Sequence, residues 1–349
     1  MKQLNVLGYF GHGNLGDEAF VSYWRDISTG IANPNIQKSF KGQSVDEIFI
    51  GGGNLLLDYF YERLPKEFNK INIIGCASAY GDIKDNWKNL GSKIGILSLR
   101  NKDDLKLFPD HNPVFVPDLI FGWESKPKPY KMGNLFKNAA LLPNNTKVFN
   151  SKKKCLIILS SDYLPKWIES SDDYLLKYFA IETFKRKLAL FLSELSNYYS
   201  LIFPSFSVDH AARDYLFSAD VIRMMKPEAR NQCLLVENYI NPEEYDNLMK
   251  HPDIKLCISM KYHGLVFSLK NKIPSINIAE SSKCQKLYKD LGMNSLNLNN
   301  NFFDHHKALS AVEECEQNFN KYLPKVNEFI NSANNFTKKL KVYLQSGTF

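Results

Sequence analysis

The chain has 349 residues, of which 44% are hydrophobic and 13% aromatic, so its composition is that of a globular protein rather than a disordered one. No run of about 18 apolar residues without charges occurs, and the apolar part of the first segment is too short for a signal peptide, so we expect a cytosolic protein without a transmembrane helix. The net charge of +7 suits anionic partners such as phosphorylated substrates or the inner face of an anionic membrane. Nucleic acid is not expected, because no stripe of Arg and Lys alternates with aromatic residues.

In the first part of the chain, short apolar runs alternate with helical patterns. This βαβ rhythm predicts a parallel sheet with helices on both faces. The predicted strands are residues 4–10, 47–52, 71–78, 93–100 and 114–121, and the predicted helices lie at 17–27, near 59–69 and near 84–90.

This alternation of predicted strands and helices is interrupted and then resumes. Residues 123–154 are rich in Pro, Asn and Lys with little periodicity, which predicts a linker. Beyond it, the predicted strands are residues 155–161, 201–206, 233–238, 254–260 and 273–279, with helices near 174–199 and 262–271 and a helical stretch at about 305–345.

The simplest architecture for this pattern is α/β, with two Rossmann-like doubly wound domains facing a cleft. We place the first domain at residues 1–135, the second at 150–305 and C-terminal helices at 306–349. In open sheets of this kind, ligands bind beyond the carboxyl ends of the strands. Motifs at strand ends are therefore the candidates for function.

The first motif, GYFGHGNLGDEA, spans residues 8–19 between the first predicted strand and the first helix. Its glycines allow positive φ and close approach of a ligand, and amides at the helix start favour an anion or a hydroxyl-rich ligand. Gly11, Gly13 and Gly16 fit the GxGxxG pattern, but two acids follow them and no acid clearly ends a second strand about twenty residues later, so the dinucleotide signal is weak. Of the acids, Asp17 is expected either to cap the helix or to bind or deprotonate a sugar hydroxyl.

The second motif is IGGGNLL, residues 50–56, in which a predicted strand runs into three glycines and Asn54. Gly52 and Gly53 would expose backbone amides as a cradle for a ligand. The alternative is a tight turn between strand and helix. The ligand reading is favoured because the first two motifs belong at the same sheet edge.

The third motif is CISMKYHGL, residues 257–265, where a buried strand passes into Lys261, Tyr262, His263 and Gly264 before an apolar helix. Lysine is a point charge that can pair with phosphate or carboxylate, and histidine can give or take a proton near neutral pH. A satisfied structural histidine is the alternative. The strand-end position and the neighbouring lysine favour a functional histidine.

Three further residues end predicted strands or turns, namely Lys283, Arg100 and Asp118. Lys283 follows the next strand and is either a second anion contact or a surface lysine. Arg100 is expected to contact a ligand or to pair with a nearby acid.

The cysteines and remaining histidines form no recognisable metal site. The six cysteines are scattered without a CxxC pair, so we expect reduced core thiols. His210 and the pair His305-His306 are isolated from other ligand types. The GxSxG, P-loop and kinase signatures are also missing. We therefore predict neither a bound metal nor a cofactor.

The ordered set of G-x-x-G-x-G-N-x-G-D-E, then GGGN, then M-K-x-H-G before an apolar helix resembles the polysaccharide pyruvyl transferases over about residues 8–292. This resemblance implies a two-domain fold like that of GT-B glycosyltransferases. It also implies transfer of pyruvate from phosphoenolpyruvate, as a ketal, to a sugar of a cell-surface polysaccharide or its lipid-linked precursor. The implied partners are a glycan or lipid-linked oligosaccharide acceptor, phosphoenolpyruvate as co-substrate and, peripherally, the inner membrane face.

Carried over by position, the resemblance matches His263 to the catalytic histidine of the family, and we assign it the role of general acid or base. Asp17 is our own candidate for activating or orienting the acceptor hydroxyl. In this scheme we expect the second domain to bind the donor and the glycine loops of the first domain to bind the acceptor. The donor residues carried over are Lys261, Lys283 and Arg100, to which we add Tyr262 and Gly264. Our predicted acceptor residues are Gly11, His12, Asn14, Gly16, Gly52, Gly53 and Asn54.

The sequence departs from the family pattern at three places. Lys261 stands where the family usually has arginine, Asn101 follows Arg100 in place of an aspartate, and no arginine follows the strand that ends near Ser161. Because lysine cannot reproduce the bidentate fork of arginine, two alternatives stay open. One is a GT-B glycosyltransferase that uses a nucleotide sugar, and the other is a non-catalytic glycan-binding homologue.

Overall fold

The computed structural model describes residues 2–78, 85–126, 128–144, 146–161, 172–208, 214–298 and 303–349. The chain folds into two compact units. The first unit comprises Met1–His12, Asp17–Glu124 and Asn327–Phe349, and the second comprises Gly13–Gly16 and Ser125–Val326. Residues 125–135, which the sequence analysis places in the first domain, thus group with the second unit. The last helix, from Asn327 onward, groups with the first unit rather than with a separate C-terminal region.

The first unit is built on a six-stranded sheet. Its strands are β1 (Lys2–Leu7), β2 (Ala32–Gln37), β3 (Glu47–Gly53), β4 (Lys70–Cys76), β5 (Ile94–Leu99) and β6 (Val114–Phe115). They are ordered β2-β1-β3-β4-β5-β6, and every pairing is parallel. The central strand β3 is buried at every residue, as expected where helices cover both faces of a parallel sheet.

The helices of the first unit connect these strands. They are α1 (Leu15–Ser28), whose first two residues group with the second unit, α2 (Asp58–Tyr61) and α3 (Asp85–Lys88), with 3₁₀ turns at 91–93, 102–107, 109–111 and 119–122. A core of strand residues such as Ile50 and Ile73 packs with Trp87 of α3. The apolar runs of the strands and the apolar face of each helix bury each other in this way.

The second unit is also built on a six-stranded sheet. Its strands are β7 (Ala139–Leu141), β8 (Lys153–Ile158), β9 (Tyr199–Phe203), β10 (Cys233–Val236), β11 (Ile254–Ser259) and β12 (Ser275–Asn277). They are ordered β12-β11-β8-β9-β10-β7. The pairings are parallel except that β7 runs antiparallel to β10 at one edge.

Helices alternate with the strands of the second unit. They are α4 (Gly133–Lys137), α5 (Thr146–Ser151), α6 (Tyr174–Leu195), α7 (Asp214–Met224), α8 (Pro227–Arg230), α9 (Pro242–Met249), α10 (Tyr262–Lys270), α11 (Ser282–Asp290) and α12 (His305–Asn318), with 3₁₀ turns at 294–296 and 319–322. Helix α6 begins where the Asp173 carboxylate accepts the amide hydrogens of Leu175 and Leu176. This N-cap satisfies two backbone donors that the helix itself leaves unpaired.

Most of the last helix, α13 (Leu323–Ser346), belongs to the first unit. Tyr343 donates a hydrogen bond to the buried Glu47 carboxylate of β3. The Phe329 ring meets the rings of Phe115 and Phe121 edge-on, at centroid separations of 6.1 and 5.7 Å. The apolar face of this helix therefore completes the core of the first unit.

The predicted α/β fold class of two doubly wound Rossmann-like domains is confirmed, but several elements differ. The linker prediction is wrong for Gly133–Lys137, Ala139–Leu141 and Thr146–Ser151, which form α4, β7 and α5. The predicted strand at 114–121 is a strand only at Val114–Phe115, followed by a 3₁₀ turn, and the helix near 59–69 is only one turn long. The edge strand β2 was not predicted because its sequence, ANPNIQ, lacks an apolar run.

Burial accounts for the cysteines. All six are buried and none forms a disulfide, as expected for core thiols. Burial raises the pKa of the Cys76 thiol to about 12, which keeps it in the unreactive protonated form. Among the described helices, none combines the length and the apolarity needed to cross a bilayer. His210 lies outside the described residues.

Candidate functional site

The strand order of each sheet identifies where a ligand is expected. In the first unit the order reverses between β1 and β3, and in the second unit it reverses between β8 and β11. Open α/β sheets bind ligands beyond the carboxyl ends of strands at such a reversal. The first motif follows β1, the second motif ends β3 and the third motif follows β11. All three sequence motifs therefore lie at the two positions where the topology favours binding.

In the second unit, His263 lies in the first turn of α10, directly after β11. Lys261 occupies the N-cap position of α10 and has an extended backbone. The Ser259 hydroxyl forms hydrogen bonds with both the amide and the carbonyl of Lys261. The Lys261 amide donates to Ser259 Oγ at 3.0 Å, and this hydroxyl donates to the Lys261 carbonyl at 2.8 Å. Gly264 is required by packing, because a Cβ there would lie 2.4 Å from Ser259 Oγ and 2.6 Å from Ile158 Cδ1. The close packing of α10 on the sheet thus fixes where His263 stands.

The segment Gly13–Gly16 of the first motif lies against His263. Leu15 donates its amide hydrogen to the Phe206 carbonyl at 2.9 Å, and the amide of Val208 donates to the Gly13 carbonyl at 3.2 Å. A Cβ on Gly16 would lie 1.9 Å from His263 Nδ1, so only glycine lets the imidazole ring occupy this place. The two motifs, more than 240 residues apart in the chain (263 − 16 = 247), therefore meet at one side chain.

Asn14 has a local structural role at this point. Its Oδ1 accepts the Gly16 amide hydrogen at 3.2 Å, as a side chain does when it caps a helix. Helix α1 starts at Leu15, so the expectation that Asp17 could cap it is wrong. Asp17 instead lies inside the first turn, where a carboxylate is stabilised by the partial positive charge of the helix start.

Lys261 is buried with an acid. Its Nζ lies 3.3 Å from Asp214 Oδ1, and the two side chains are 6% and 1% exposed. The other Asp214 oxygen accepts the Ser207 amide at 2.8 Å. Removing one partner of such a pair leaves an uncompensated buried charge. Asp214 was not predicted as a site residue, because nothing in the local pattern links it to a residue 47 positions later (261 − 214 = 47).

Tyr262 and Lys283 complete the predicted donor set of the second unit. The Tyr262 ring is buried and meets the His263 ring edge-on, with centroids 5.2 Å apart. Lys283 is half-buried in the first turn of α11, which follows β12. Because β11 and β12 are parallel neighbours, the starts of α10 and α11 share one sheet edge. The amides of two helix starts and Lys283 lie along this edge and suit an anion, whereas the charge of the nearby Lys261 is already paired with Asp214.

In the first unit, Arg100 is a bridging residue. One guanidinium nitrogen lies 2.7 Å from Asp118 Oδ2 and another donates to Asn54 Oδ1 at 2.6 Å. The expected pairing of Arg100 with a nearby acid is thus observed, and both charged side chains are almost fully buried. The pair orients the Asn54 amide at the end of the glycine motif. Contact of Arg100 with the donor stays a prediction.

The glycines of the second motif make room for other groups. A Cβ on Gly52 would lie 2.2 Å from a Phe20 ring carbon. A Cβ on Gly51 would likewise clash with the Trp24 indole. Gly53, with φ of 95°, faces Asp17, whose Oδ1 lies 3.7 Å from the Cβ position. Gly51 and Gly52 therefore serve packing against α1, and Gly53 lies beside the one acid that the sequence analysis assigns to the acceptor.

Gly11 and His12 form the start of the loop after β1. The Gly11 amide donates to Glu18 Oε1 at 2.6 Å, which ties the loop to α1. The His12 ring stacks on Tyr9 with centroids 4.1 Å apart. Within the described part of the chain, the buried Nε2 of His12 has no hydrogen-bond partner. A buried polar atom without a partner costs free energy, which a ligand hydroxyl would offset.

Two comparisons with solved structures support the fold. The chain aligns with the UDP complex of MnaA from S. aureus at a TM-score of 0.57 and 9% identity, covering 99% of this chain and 96% of that one. It aligns with UDP-GlcNAc 2-epimerase from Methanocaldococcus jannaschii at a TM-score of 0.50 and 13% identity, covering 98% and 100%. At these identities the likeness extends to the fold alone. No curated protein matches the sequence.

The family model gives the more specific result. The model of the polysaccharide pyruvyl transferases matches residues 14–282, which include the GGGN motif, Lys261 and His263. The match covers more than half of the chain and spans both units. The chain therefore belongs to the polysaccharide pyruvyl transferase family.

Proposed function

We propose that this protein forms a pyruvate ketal on a sugar diol, with phosphoenolpyruvate as the donor. The observation that carries the proposal is the family match together with the position of His263, on a helix start at the carboxyl edge of the sheet of the second unit. The acceptor is a sugar of a cell-surface polysaccharide or of its lipid-linked precursor.

The second unit has the features that a small anionic donor needs. The amides that open α10 and α11 point along the helix axes toward the edge where Lys261 and Lys283 lie. Each charge-assisted hydrogen bond to phosphate or carboxylate would contribute roughly 1.5–3 kcal/mol. Asp214 holds Lys261 in place and offsets part of its charge, so we assign the larger share of the attraction to Lys283 and the helix starts.

The proposed chemistry balances without a redox step. The vinyl CH₂ of phosphoenolpyruvate gains a proton and becomes a methyl group, and each of two sugar hydroxyl oxygens forms a bond to C2. The bond from C2 to the phosphate oxygen breaks, and phosphate leaves with the second hydroxyl proton. The reaction needs only proton transfer and anion binding, so we propose that it uses neither a metal nor an organic cofactor.

In this scheme His263 supplies or accepts the proton, and Asp17 orients or deprotonates the attacking hydroxyl. A positioned acid or base contributes about 10²–10⁴-fold to the rate. Asp17 lies beside Gly53, and Asn54 is held by Arg100, so the acceptor would meet two oriented polar side chains in the first unit. His12 is a third candidate contact for a sugar hydroxyl.

Calorimetric titration with phosphoenolpyruvate tests donor binding. Wild type should bind saturably, and Lys283→Ala should weaken binding by about tenfold or more, the equivalent of one charge-assisted contact. Lys286→Ala, on the same helix, is the matched control and should bind as wild type does. UDP-sugars and CMP-sialic acid are titrated in parallel. Binding of a nucleotide sugar without phosphoenolpyruvate would refute the donor assignment and establish the glycosyltransferase alternative.

Turnover is tested by phosphate release from phosphoenolpyruvate with methyl glycosides that offer a 1,3-diol or a vicinal diol. His263→Gln should lower the rate about 10²–10⁴-fold. His306→Gln, a change in an exposed histidine, should leave it unaltered. Activity should also survive chelation by EDTA. Phosphoenolpyruvate binding by wild type with no turnover on any glycoside or lipid-linked glycan would establish the non-catalytic alternative.

A further inference from the structure

A polar groove lies between α1 and α13 of the first unit. Its volume is about 590 Å³, a size typical of ligand-binding sites, and every described residue that lines it belongs to the first unit. The second half of α1 forms one wall, the segment 122–124 another and α13 the third. None of the residues assigned above to the donor or to the acceptor sugar lines this groove. It is therefore a separate candidate site.

Helix α13 presents a stripe of polar side chains to the groove. Asn331, Asn334, Asn335, Lys338 and Lys341 recur at helical spacing, so one face of the helix supplies all five. Among the described residues, none of these five side chains forms a hydrogen bond or ion pair with another part of the chain. The stripe is about 15 Å long, since it extends over ten residues (341 − 331 = 10) at about 1.5 Å each. Its length suits an extended ligand better than a single small molecule.

The floor of the groove is fixed by contacts within the protein. The buried Trp123 indole donates to Asp26 Oδ2 at 2.8 Å, and the buried Tyr23 hydroxyl lies 3.0 Å from Thr337 Oγ1. A Cβ on Gly122 would lie 2.8 Å from the backbone of α13, so glycine lets this wall approach the helix closely. A site that is ordered before its ligand arrives loses less conformational entropy on binding.

The chemistry of the groove suits a neutral, hydroxyl-rich ligand. An asparagine carboxamide both donates and accepts hydrogen bonds, as a sugar hydroxyl does. The charged side chains that line the groove balance, because Asp26 and Glu124 face Lys338 and Lys341 in equal number. The groove therefore offers many hydrogen bonds without a preference for an acidic glycan.

The groove is separated from Asp17, the acid that we assign to the acceptor hydroxyl. Asp26 lies nine residues further along α1 (26 − 17 = 9), which is about 14 Å at about 1.5 Å per residue. One sugar ring bound beside Asp17 cannot reach that far, whereas other units of the same polymer can. The family to which the chain belongs acts on polysaccharides.

We propose that this groove binds a neutral stretch of the polysaccharide acceptor, several sugar units away from the unit that receives the ketal. The identity of the polymer rests on the proposed function, but binding in the groove does not require pyruvyl transfer. Binding at two places along one chain raises the effective concentration of the acceptor at the second place. The groove thus selects long acceptors over single sugars.

Calorimetric titration without phosphoenolpyruvate tests glycan binding, with neutral trisaccharides of glucose and of galactose as probes. Wild type should bind at least one of them. Asn331→Ala/Asn335→Ala, the groove variant, should weaken this binding about tenfold or remove one site from the stoichiometry, because two hydrogen-bonding side chains are lost. Both asparagines are exposed and alanine favours helix, so the variant should fold. Lys339→Ala changes an exposed residue of α13 outside the groove and should bind as wild type does.

Turnover with acceptors of increasing length gives a second readout. The groove variant should match wild type on a methyl glycoside. On an oligosaccharide of the same sugar that is long enough to reach the groove, its KM should rise about tenfold while kcat stays unchanged, because the groove contributes binding and not chemistry. An equal loss on short and long acceptors would show a general structural defect in place of a distal binding site.

Three binding results would overturn the proposal. They are no binding of any neutral trisaccharide by wild type, equal binding by wild type and the groove variant, and binding of an unstructured Gly-Ser decapeptide in place of the glycans. A wild type that binds trisaccharides in the groove but does not bind phosphoenolpyruvate would count against the proposed function and not against the groove.

Discussion

The glycines of the first and second motifs serve different purposes in the two units. In the first unit, Gly51 and Gly52 leave space for the aromatic rings of Trp24 and Phe20, which belong to the core. In the second unit, Gly16 leaves space for the His263 imidazole, a group with chemistry to perform. The same residue type in similar motifs is thus structural in one place and positions a reactive side chain in the other. Substitution at these glycines should separate stability from activity.

The largest expected effect is on activity, at Gly16. In Gly16→Ala, the new Cβ must displace the His263 ring, which can rotate away because it is the end of a flexible side chain. The turnover rate should fall by a factor similar to that of His263→Gln, about 10²–10⁴, while the unfolding free energy changes by less than about 1 kcal/mol. Gly133→Ala, where a Cβ meets nothing within 4 Å, is the matched control. A variant of Gly16 with full activity would contradict the positioning role.

The second-largest expected effect is a loss of stability in the second unit. Lys261→Met leaves Asp214 buried without its cation and should lower the unfolding free energy by about 3–5 kcal/mol. Lys261→Met/Asp214→Asn removes both charges and should recover most of this loss, as measured by urea unfolding. If the double variant were no more stable than the single one, the ion pair would not be the cause. The affinity for phosphoenolpyruvate that the double variant retains shows how much Lys261 itself contributes to donor binding.

Gly52 tests the structural side of the comparison. Gly52→Ala adds a Cβ 2.2 Å from the Phe20 ring at a φ of 78°. Overpacking and the left-handed backbone should together lower the unfolding free energy by roughly 2–4 kcal/mol. Gly42→Ala has a similar φ of 79° but an open surrounding, so it should lose only about 1–2 kcal/mol. Equal losses in both variants would show that crowding by Phe20 does not matter.

The smallest expected effect is on the pH dependence of the unfolding free energy, which we compare for a buried acid in each unit. Burial alone would raise the pKa of Asp246, but Lys270 and hydrogen bonds from Asn271, Lys250 and Ser125 hold this pKa below its usual value. A depressed pKa in the folded state stabilises the protein above about pH 4, and the stabilisation is lost as the pH falls further. The unfolding free energy of wild type should therefore fall more steeply than that of Asp246→Asn between about pH 5 and pH 2.

Glu47→Gln is the counterpart of that variant in the first unit. Burial again acts to raise the pKa, and hydrogen bonds from Lys2, Tyr343 and Asn72 lower it overall. Lys2 is largely exposed, so solvent screens its contribution. The slope of the unfolding free energy against pH should therefore change less in Glu47→Gln than in Asp246→Asn. The reverse order would show that the contact of the buried Lys270 with Asp246 carries less weight than the geometry indicates.

The sequence by itself determined the fold class, the strands of both sheet centres and the family. Central parallel strands are buried on both faces, so their apolar runs are visible in the chain, and motifs at strand ends fall at the ligand-binding edge whatever the details of packing. The edge strands β2 and β7 and the helices of the expected linker carry weaker patterns, because they are partly exposed or short.

Only the tertiary structure decided which residues meet. Nothing local in the sequence pairs Lys261 with Asp214, places Gly16 against His263 or returns the last helix to the first unit. These contacts join residues far apart in the chain, and they depend on which strands become neighbours in the sheet. Sequence patterns record the period of an element and the chemistry at its ends. Partners are chosen by burial and space in the folded chain, which is why the roles of Gly52 as a packing residue and Gly16 as a positioning residue became distinct only there.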